Sequence, residues 1–240
     1  MSNLRITKYL KLPFEFEEKL LLRDLDTAET NLWIPHFNKG GYEGDWKSIA
    51  LYAKDGDEKN IYAMSDSNEP LKETKLMNWC SYFREVVHTF KFPLASVRLL
   101  KLGIGAEIKP HRDYKLGYED NYFRLHIPIT TNENVEFILD EKRLNMKPGE
   151  CWYTNVNYIH SVANRGNTDR VHLVIDGERN QWSDELFFSL APKESFEPET
   201  EEKYSPENIE QIIKNLETRD EPAAKELIVK LKKQLKDQKL

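Results

Sequence analysis

Between residues 94 and 182 the chain falls into short β-rich runs: LASVRLLKL, GIGAEIKP, FRLHIPIT, VEFILD, KRLNM, KPGECWYT, IHSVANRGN and RVHLVID. Turn signals separate them, with Pro148-Gly149 and Arg165-Gly166-Asn167 reading as hairpin-like breaks. Brief strands at this spacing have the cadence of an antiparallel sandwich or barrel. The expectation is a mainly β fold, a small barrel or jelly roll, with flanking helices. Residues 75–90, KLMNWCSYFREVVHTF, place Leu76, Trp79, Cys80, Phe83, Val87 and Phe90 at steps of three and four. That period predicts an amphipathic helix packed on the outside of the barrel. Residues 1–74 read as strand-like pieces and loops, with tight turns at Gly40-Gly41 and Gly44 and a strand in WKSIALYA.

The expected organisation is one domain over residues 1–191 and an acidic linker with a helical tail over 192–240. In the tail, Ser205 and Pro206 suit a helix start, followed by Ile209, Ile212, Ile213 and Leu216. Asp220 and Pro222 open a second pattern with Leu227, Ile228, Leu231 and Leu235 on one face. The tail is expected to pack on the domain or on a second subunit, giving a homodimer. A net charge of −6 offers nothing to a phosphate backbone, so no nucleic-acid partner is expected. No apolar run reaches the roughly 18 residues of a membrane span. Charges and Pro13 break up the N-terminal stretch, which does not read as a signal peptide. Cys80 and Cys151 are too few for a disulfide framework and read as core thiols in a reducing cytoplasm.

The chemistry concentrates in IKPHRDYKLGYEDNYFRLHIPIT, residues 108–130. His111 and Asp113 are two apart, and in an extended chain such residues point to the same side. They can converge on one ion, with His160 as the third ligand from a later strand. His-x-Asp followed by a distant His is the two-histidine, one-carboxylate facial triad of non-haem Fe(II) oxygenases. Three protein ligands leave room for a bidentate 2-oxo acid and O2. Arg170, ten positions past His160, offers a fork for the far carboxylate of 2-oxoglutarate. Arg124 and His126 alternate with Leu125, Ile127 and Ile129, so one face of that strand is polar. That face is either ordinary outside polarity or the lining of a ligand-holding barrel. His126 reads equally as a core histidine or a co-substrate contact. His172, His36 and His88 read as structural, Trp152 and Tyr153 as core, and Lys147 to Glu150 as a turn.

These residues resemble the aspartyl/asparaginyl β-hydroxylase family, which includes free L-proline cis-hydroxylases. The likeness runs from about residue 33 to 182, through WIPHFN, YEGDW, VRLLKL, PHRD, RLHIPITTN, PGECWYTN, HSVANRG and DRVHLVID. It implies a double-stranded β-helix (cupin-like) fold, Fe(II) and 2-oxoglutarate. His111, Asp113 and His160 would then hold iron and Arg170 the 2-oxoglutarate carboxylate. His126 would touch the co-substrate, and Arg124 would face the pocket toward an acidic group of the substrate. Animal peptidyl hydroxylases of the family lack the iron-binding acid, so Asp113 places the resemblance with the bacterial branch. The expected function is hydroxylation of an unactivated C–H of a free amino acid or amino-acid-like molecule. A residue within a peptide or protein is the second substrate class. Arg98 and the 33–46 segment are further pocket contacts. A non-catalytic cupin-like module and a hydrolytic zinc site are the alternatives. The latter has no use for Arg170.

Overall fold

The computed structural model describes residues 6–29, 33–63, 70–197 and 206–217, with 225, 228, 229, 231, 232, 235 and 236. The chain divides into two compact units, Met1–Glu197 and Pro198–Leu240. The first opens with β1 (Tyr9–Glu15), α1 (Glu18–Glu29), β2 (Ile34–Pro35), β3 (Tyr42–Glu43), β4 (Trp46–Lys54) and β5 (Leu71–Glu73). A 3-10 turn (Lys75–Asn78) and α2 (Ser81–Thr89) follow. Then come β6 (Leu94–Leu102), β7 (Glu107–His111), β8 (Tyr122–Thr130), β9 (Val135–Leu139) and β10 (Lys142–Leu144). The unit ends with β11 (Glu150–Thr154), β12 (His160–Asn164), β13 (Arg170–Glu178) and α3 (Gln181–Leu190). Among the described residues, no helix is long and apolar enough to cross a membrane.

The strands form two antiparallel sheets. The larger has the order β1-β11-β8-β13-β6-β4-β2, with β5 beside β4, and the smaller β10-β9-β12-β7-β3. From β6 onward the chain passes back and forth between them, with β6, β8, β11 and β13 in the larger sheet and β7, β9, β10 and β12 in the smaller. This is a jelly roll, the mainly β architecture with flanking helices that the run lengths predict. Gly44 is one corner, where the chain leaves β3 for β4. Its φ is +81°, and a Cβ there would lie 2.8 Å from the Cβ of Ala106. Glycine is required on both counts.

Strand alternation gives the larger sheet two different faces. The outer face carries Val97, Leu99, Leu125, Ile127, Tyr153, Leu173 and Ile175, packed with Leu21 and Leu25 of α1, Phe83 and Val87 of α2 and Phe187 of α3. Each such side chain taken fully out of water contributes roughly 1.5–3 kcal/mol. The inner face meets the smaller sheet, where Trp46 and Leu102 pack with Ile108, Phe137, Leu139 and Val162. Beyond that apolar patch the inner face is mixed, with Arg98, Arg124, His126 and Arg170 beside Leu100 and Val174.

Two expectations are corrected. Residues 18–29 are a helix rather than loop and strand-like pieces: Leu21, Leu25 and Ala28 bury one face at helical spacing. The helix expected over 75–90 begins only at Ser81. Its start is fixed by Asp24, whose carboxylate accepts from the backbone N–H groups of Tyr82 (2.6 Å) and Phe83 (2.9 Å). A buried carboxylate on two orphan amides at a helix N-terminus sets the boundary. Trp79 therefore lies outside the helix, 64% exposed, not on its apolar face.

In the second unit, α4 (Pro206–Leu216) brings Ile209 and Ile213 against Leu231, with Ile212, Leu216, Ile228 and Leu235 around them. Ser205, Asp220, Pro222 and Leu227 lie outside the described residues.

Candidate metal centre

His111 is the last residue of β7 and His160 the first of β12, and the two are paired across the smaller sheet. Their rings lie 4.2 Å apart, centroid to centroid. Asp113 stands two residues past β7, its backbone N–H held by the carbonyl of Val156 at 2.9 Å. The potential ligand atoms of His111, Asp113 and His160 all lie within 4.8 Å of one another. Each imidazole is oriented from behind. Nδ1 of His111 is 2.8 Å from the carbonyl of Lys109, and Nδ1 of His160 is 3.0 Å from that of Tyr158. A proton on Nδ1 in each bond leaves the Nε2 lone pair free, as a metal ligand requires.

Asp113 is kept as a carboxylate. Burial pushes its acidity toward the neutral form, but Arg124 and the two histidines outweigh this and hold it down to about 2. Arg124 Nη1 donates to Asp113 Oδ2 at 2.6 Å, while Oδ1 lies 3.8 Å from His111 Nε2. Burial, and then the neighbouring His111, keep His160 neutral down to about 4.

The three residues border a cavity of about 400 Å³ whose wall includes Arg98, Arg124, His126 and Arg170 from the larger sheet. Those four come from the inner face, as the alternation in RLHIP and RVHLVID requires. Of the two readings of β8, the inward one is observed. Arg170 is 2% exposed, and Nη2 meets His172 Nδ1 at 2.9 Å while Nε has no partner. Among the described residues no carboxylate pairs with it, and burial pulls the guanidinium down to about 9, still charged at neutral pH. His126 is buried with neither ring nitrogen bonded. Burial, followed by Arg170, holds it neutral far below the usual range. It is not a satisfied core histidine. His36 packs as expected, stacked on Trp46 with centroids 3.4 Å apart, and it also borders the cavity.

Arg124 faces the cavity but its charge is already engaged. Nε donates to Asp176 Oδ1 at 2.7 Å and Nη2 to Oδ2 at 3.3 Å. Asp176 also accepts from Arg98 Nη2 (2.7 Å) and Ser96 Oγ (2.8 Å). Asp176 and its neighbour Ser96, behind the cavity wall rather than on it, were not foreseen. The signal was present: Arg170, His172 and Asp176 share one face of β13, and Ser96 and Arg98 one face of β6.

The chain is similar to known proteins across this region. It is 30% identical over 167 residues to an L-proline cis-4-hydroxylase from Rhizobium meliloti (strain 1021), covering 68% of this chain and 58% of that protein. It is 27% identical over 139 residues to L-proline cis-3-hydroxylase 2 from Streptomyces sp, covering 55% of this chain and 47% of that one. The chain thus spans about half the length of these relatives. A crystal structure of a 2OG-Fe(II) oxygenase family oxidoreductase from Burkholderia pseudomallei shares the fold. Its TM-score is 0.52 at 13% identity, over 72% of this chain and 86% of that one. The family model for aspartyl/asparaginyl beta-hydroxylases matches residues 15–180, most of the first unit, and the chain belongs to that family.

Proposed function

We propose that this protein is an Fe(II)- and 2-oxoglutarate-dependent dioxygenase that hydroxylates an unactivated C–H bond of a free amino acid or amino-acid-like molecule. The observation that carries this reading is Arg170, a buried guanidinium with no carboxylate partner among the described residues, on the wall of the cavity that holds the His-Asp-His cluster. An unpaired buried cation is costly, and an anionic ligand removes that cost. The donor set fits Fe(II): two neutral imidazoles with Nε2 free and one ionised carboxylate, the facial triad. A hydrolytic zinc site would leave Arg170 without a task.

In this reading His111, Asp113 and His160 hold the iron, Arg170 binds the distal carboxylate of 2-oxoglutarate, and His126 meets the co-substrate. With 2-oxoglutarate, iron supplies oxidation by O2, yielding succinate, carbon dioxide and a hydroxylated product. The protein's part is to keep the two Nε2 atoms and the carboxylate aimed at one point, exclude water and orient the target carbon. Arg98 and Arg124 border the cavity with their charges matched by Asp176 and Asp113, so they offer a substrate polar N–H contacts rather than a free positive charge. The two relatives named as L-proline hydroxylases make a free amino acid the first substrate to test. Phe37, Tyr62 and Tyr114, exposed aromatics bordering the same cavity, favour a peptide as the second.

The test is succinate formation from 2-oxoglutarate with Fe(II) in air, alone and with L-proline, each other proteinogenic amino acid and Asp- or Asn-containing peptides. Succinate that rises with a free amino acid and disappears in Asp113→Ala is the expected result. Stimulation only by peptides would move the substrate to a protein side chain. Failure of the protein to bind 2-oxoglutarate with metal present would refute the reading.

A further inference from the structure

Asp176 touches no cavity ligand position, yet four donor contacts from three side chains converge on it. It sits on β13 opposite Arg124 of β8 on one side and Ser96 of β6 on the other. It is completely buried. Arg124 uses Nε and Nη2 on Asp176 and its remaining terminal nitrogen, Nη1, on Asp113 Oδ2. One guanidinium thus bridges a buried carboxylate and the carboxylate of the metal cluster. With Nε and Nη2 engaged by Asp176, only Nη1 is left for Asp113, and it donates to Oδ2. The other oxygen, Oδ1, is left on the side of His111.

We propose that Asp176 is a positioning residue for the metal-binding carboxylate: by anchoring and partly neutralising Arg124, it restricts Arg124 to Asp113 Oδ2 and keeps Oδ1 available to the metal. The inference rests on the iron reading above. Without Asp176, Arg124 would carry an uncompensated charge and be free to turn its fork onto both oxygens of Asp113. Both changes compete with the metal for the same carboxylate. Arg98 shares Asp176, so the same anion also fixes a second cation on the cavity wall. Ser96 adds a neutral donor whose loss leaves both ion pairs standing.

The test is metal binding by folded protein without turnover. Co(II), titrated calorimetrically and followed by its visible absorption, is the probe for wild type, Asp176→Asn and Ser96→Ala. Asp176→Asn is expected to bind Co(II) ten- to a hundredfold more weakly, the usual range for a lost partner behind a metal ligand, with an altered absorption band. Ser96→Ala is expected to stay within threefold. Should Asp176→Asn not fold, the double variant Asp176→Asn/Arg98→Met removes one cation with the anion and keeps the buried charge balanced. It is expected to show the same weakening, because Arg124 still lacks its anchor. A folded variant of either kind that binds Co(II) within threefold of wild type, with an unchanged band, would overturn the proposal and leave the iron reading intact. Wild-type protein that binds neither Co(II) nor Fe(II) would overturn both.

Discussion

Replacing Arg170 by methionine should move stability and ligand binding in opposite directions. Arg170 is 2% exposed, and burial alone pulls its guanidinium from 12.5 to about 9. At about 1.4 kcal/mol per tenfold change, holding it charged at pH 7 costs on the order of 5 kcal/mol. The contact with His172 and the Phe137 ring 5.8 Å away return only part of this. A methionine of similar reach leaves the stem contacts and removes the charge, so the metal-free protein should gain about 1–4 kcal/mol. The sign has a pH window. Because the folded-state value is depressed, the penalty is full below about 9 and fades toward 12.5. The gain from Arg170→Met should therefore be flat from neutral pH to about 9 and shrink above it. Binding should respond the other way. Loss of a charge-assisted fork to a carboxylate, worth roughly 1.5–3 kcal/mol, weakens 2-oxoglutarate by about ten- to a hundredfold or more. The assay pairs urea unfolding of metal-free protein with calorimetric titration of 2-oxoglutarate into anaerobic Fe(II) protein. A variant less stable than wild type would show that the guanidinium is a structural tie. A variant binding 2-oxoglutarate within threefold of wild type would remove Arg170 from the co-substrate site.

Other outcomes follow from the same geometry. Asp24→Ala strips two buried helix-start amides of their acceptor and should cost about 2–4 kcal/mol in urea unfolding while leaving metal affinity unchanged. Acid should destabilise the metal-free fold from about pH 6.5 downward. Burial, and next Arg98, hold His36 neutral to about 4, and burial, then Arg170, holds His172 well below the usual histidine range, so the unfolded chain takes up their protons first. At pH 5 His36 contributes a loss of about 2 kcal/mol and His172 adds to it in the same direction; a melting temperature constant from pH 7 to 5 would contradict their burial as neutral rings. Gly44→Ala should lower stability by about 1–3 kcal/mol, read from thermal unfolding, because the positive φ and the contact with Ala106 both resist a Cβ. Saturating metal at a hundred times its dissociation constant should raise unfolding free energy by about 2.7 kcal/mol in wild type and by nothing in His160→Ala.

What the sequence disclosed and what it hid have separate physical origins. Every strand from β6 to β13 falls in one of the predicted runs or passes its end by at most two residues, because period-2 alternation and Gly, Pro and Asn breaks are local properties. The grouping of His111, His160 and Arg170 was legible for the same reason, since each sits at a strand end, whereas Asp113 lies two residues past β7 and is held there by the Val156 carbonyl. The helix α1 was hidden by short range. Leu20, Leu21 and Leu22 run together, and only the tertiary burial of Leu21, Leu25 and Ala28 selects the helical face. The start of α2 was hidden by long range, since its capping carboxylate lies 58 residues earlier in the chain. Asp176 escaped for a related reason. Its position two past Val174 was readable, but its partners lie on β6 and β8, and pairing register, not composition, brings them together.

The same alternation explains why the larger sheet can tolerate so much buried charge. Its outer face is continuously apolar beneath three helices, so the inner face need not carry the fold's stability. Among the described residues, the buried cations are Arg98, Arg124 and Arg170 and the buried acids Asp24 and Asp176. Asp24 serves α2, which leaves Asp176 to be shared by Arg98 and Arg124. Nothing is left for Arg170. A core selected for stability alone would have replaced it with an apolar side chain and gained by doing so. Its retention next to a histidine with two unbonded nitrogens is a local conflict in an otherwise consistent design, and such conflicts collect where a ligand is needed to resolve them. A ligand that relieved this conflict would bring a negative charge to Arg170 and a polar atom to His126. Under the proposed function, a 2-oxo diacid chelated through its keto-acid end by the metal that His111, Asp113 and His160 hold would bring its far carboxylate to Arg170 and meet both demands.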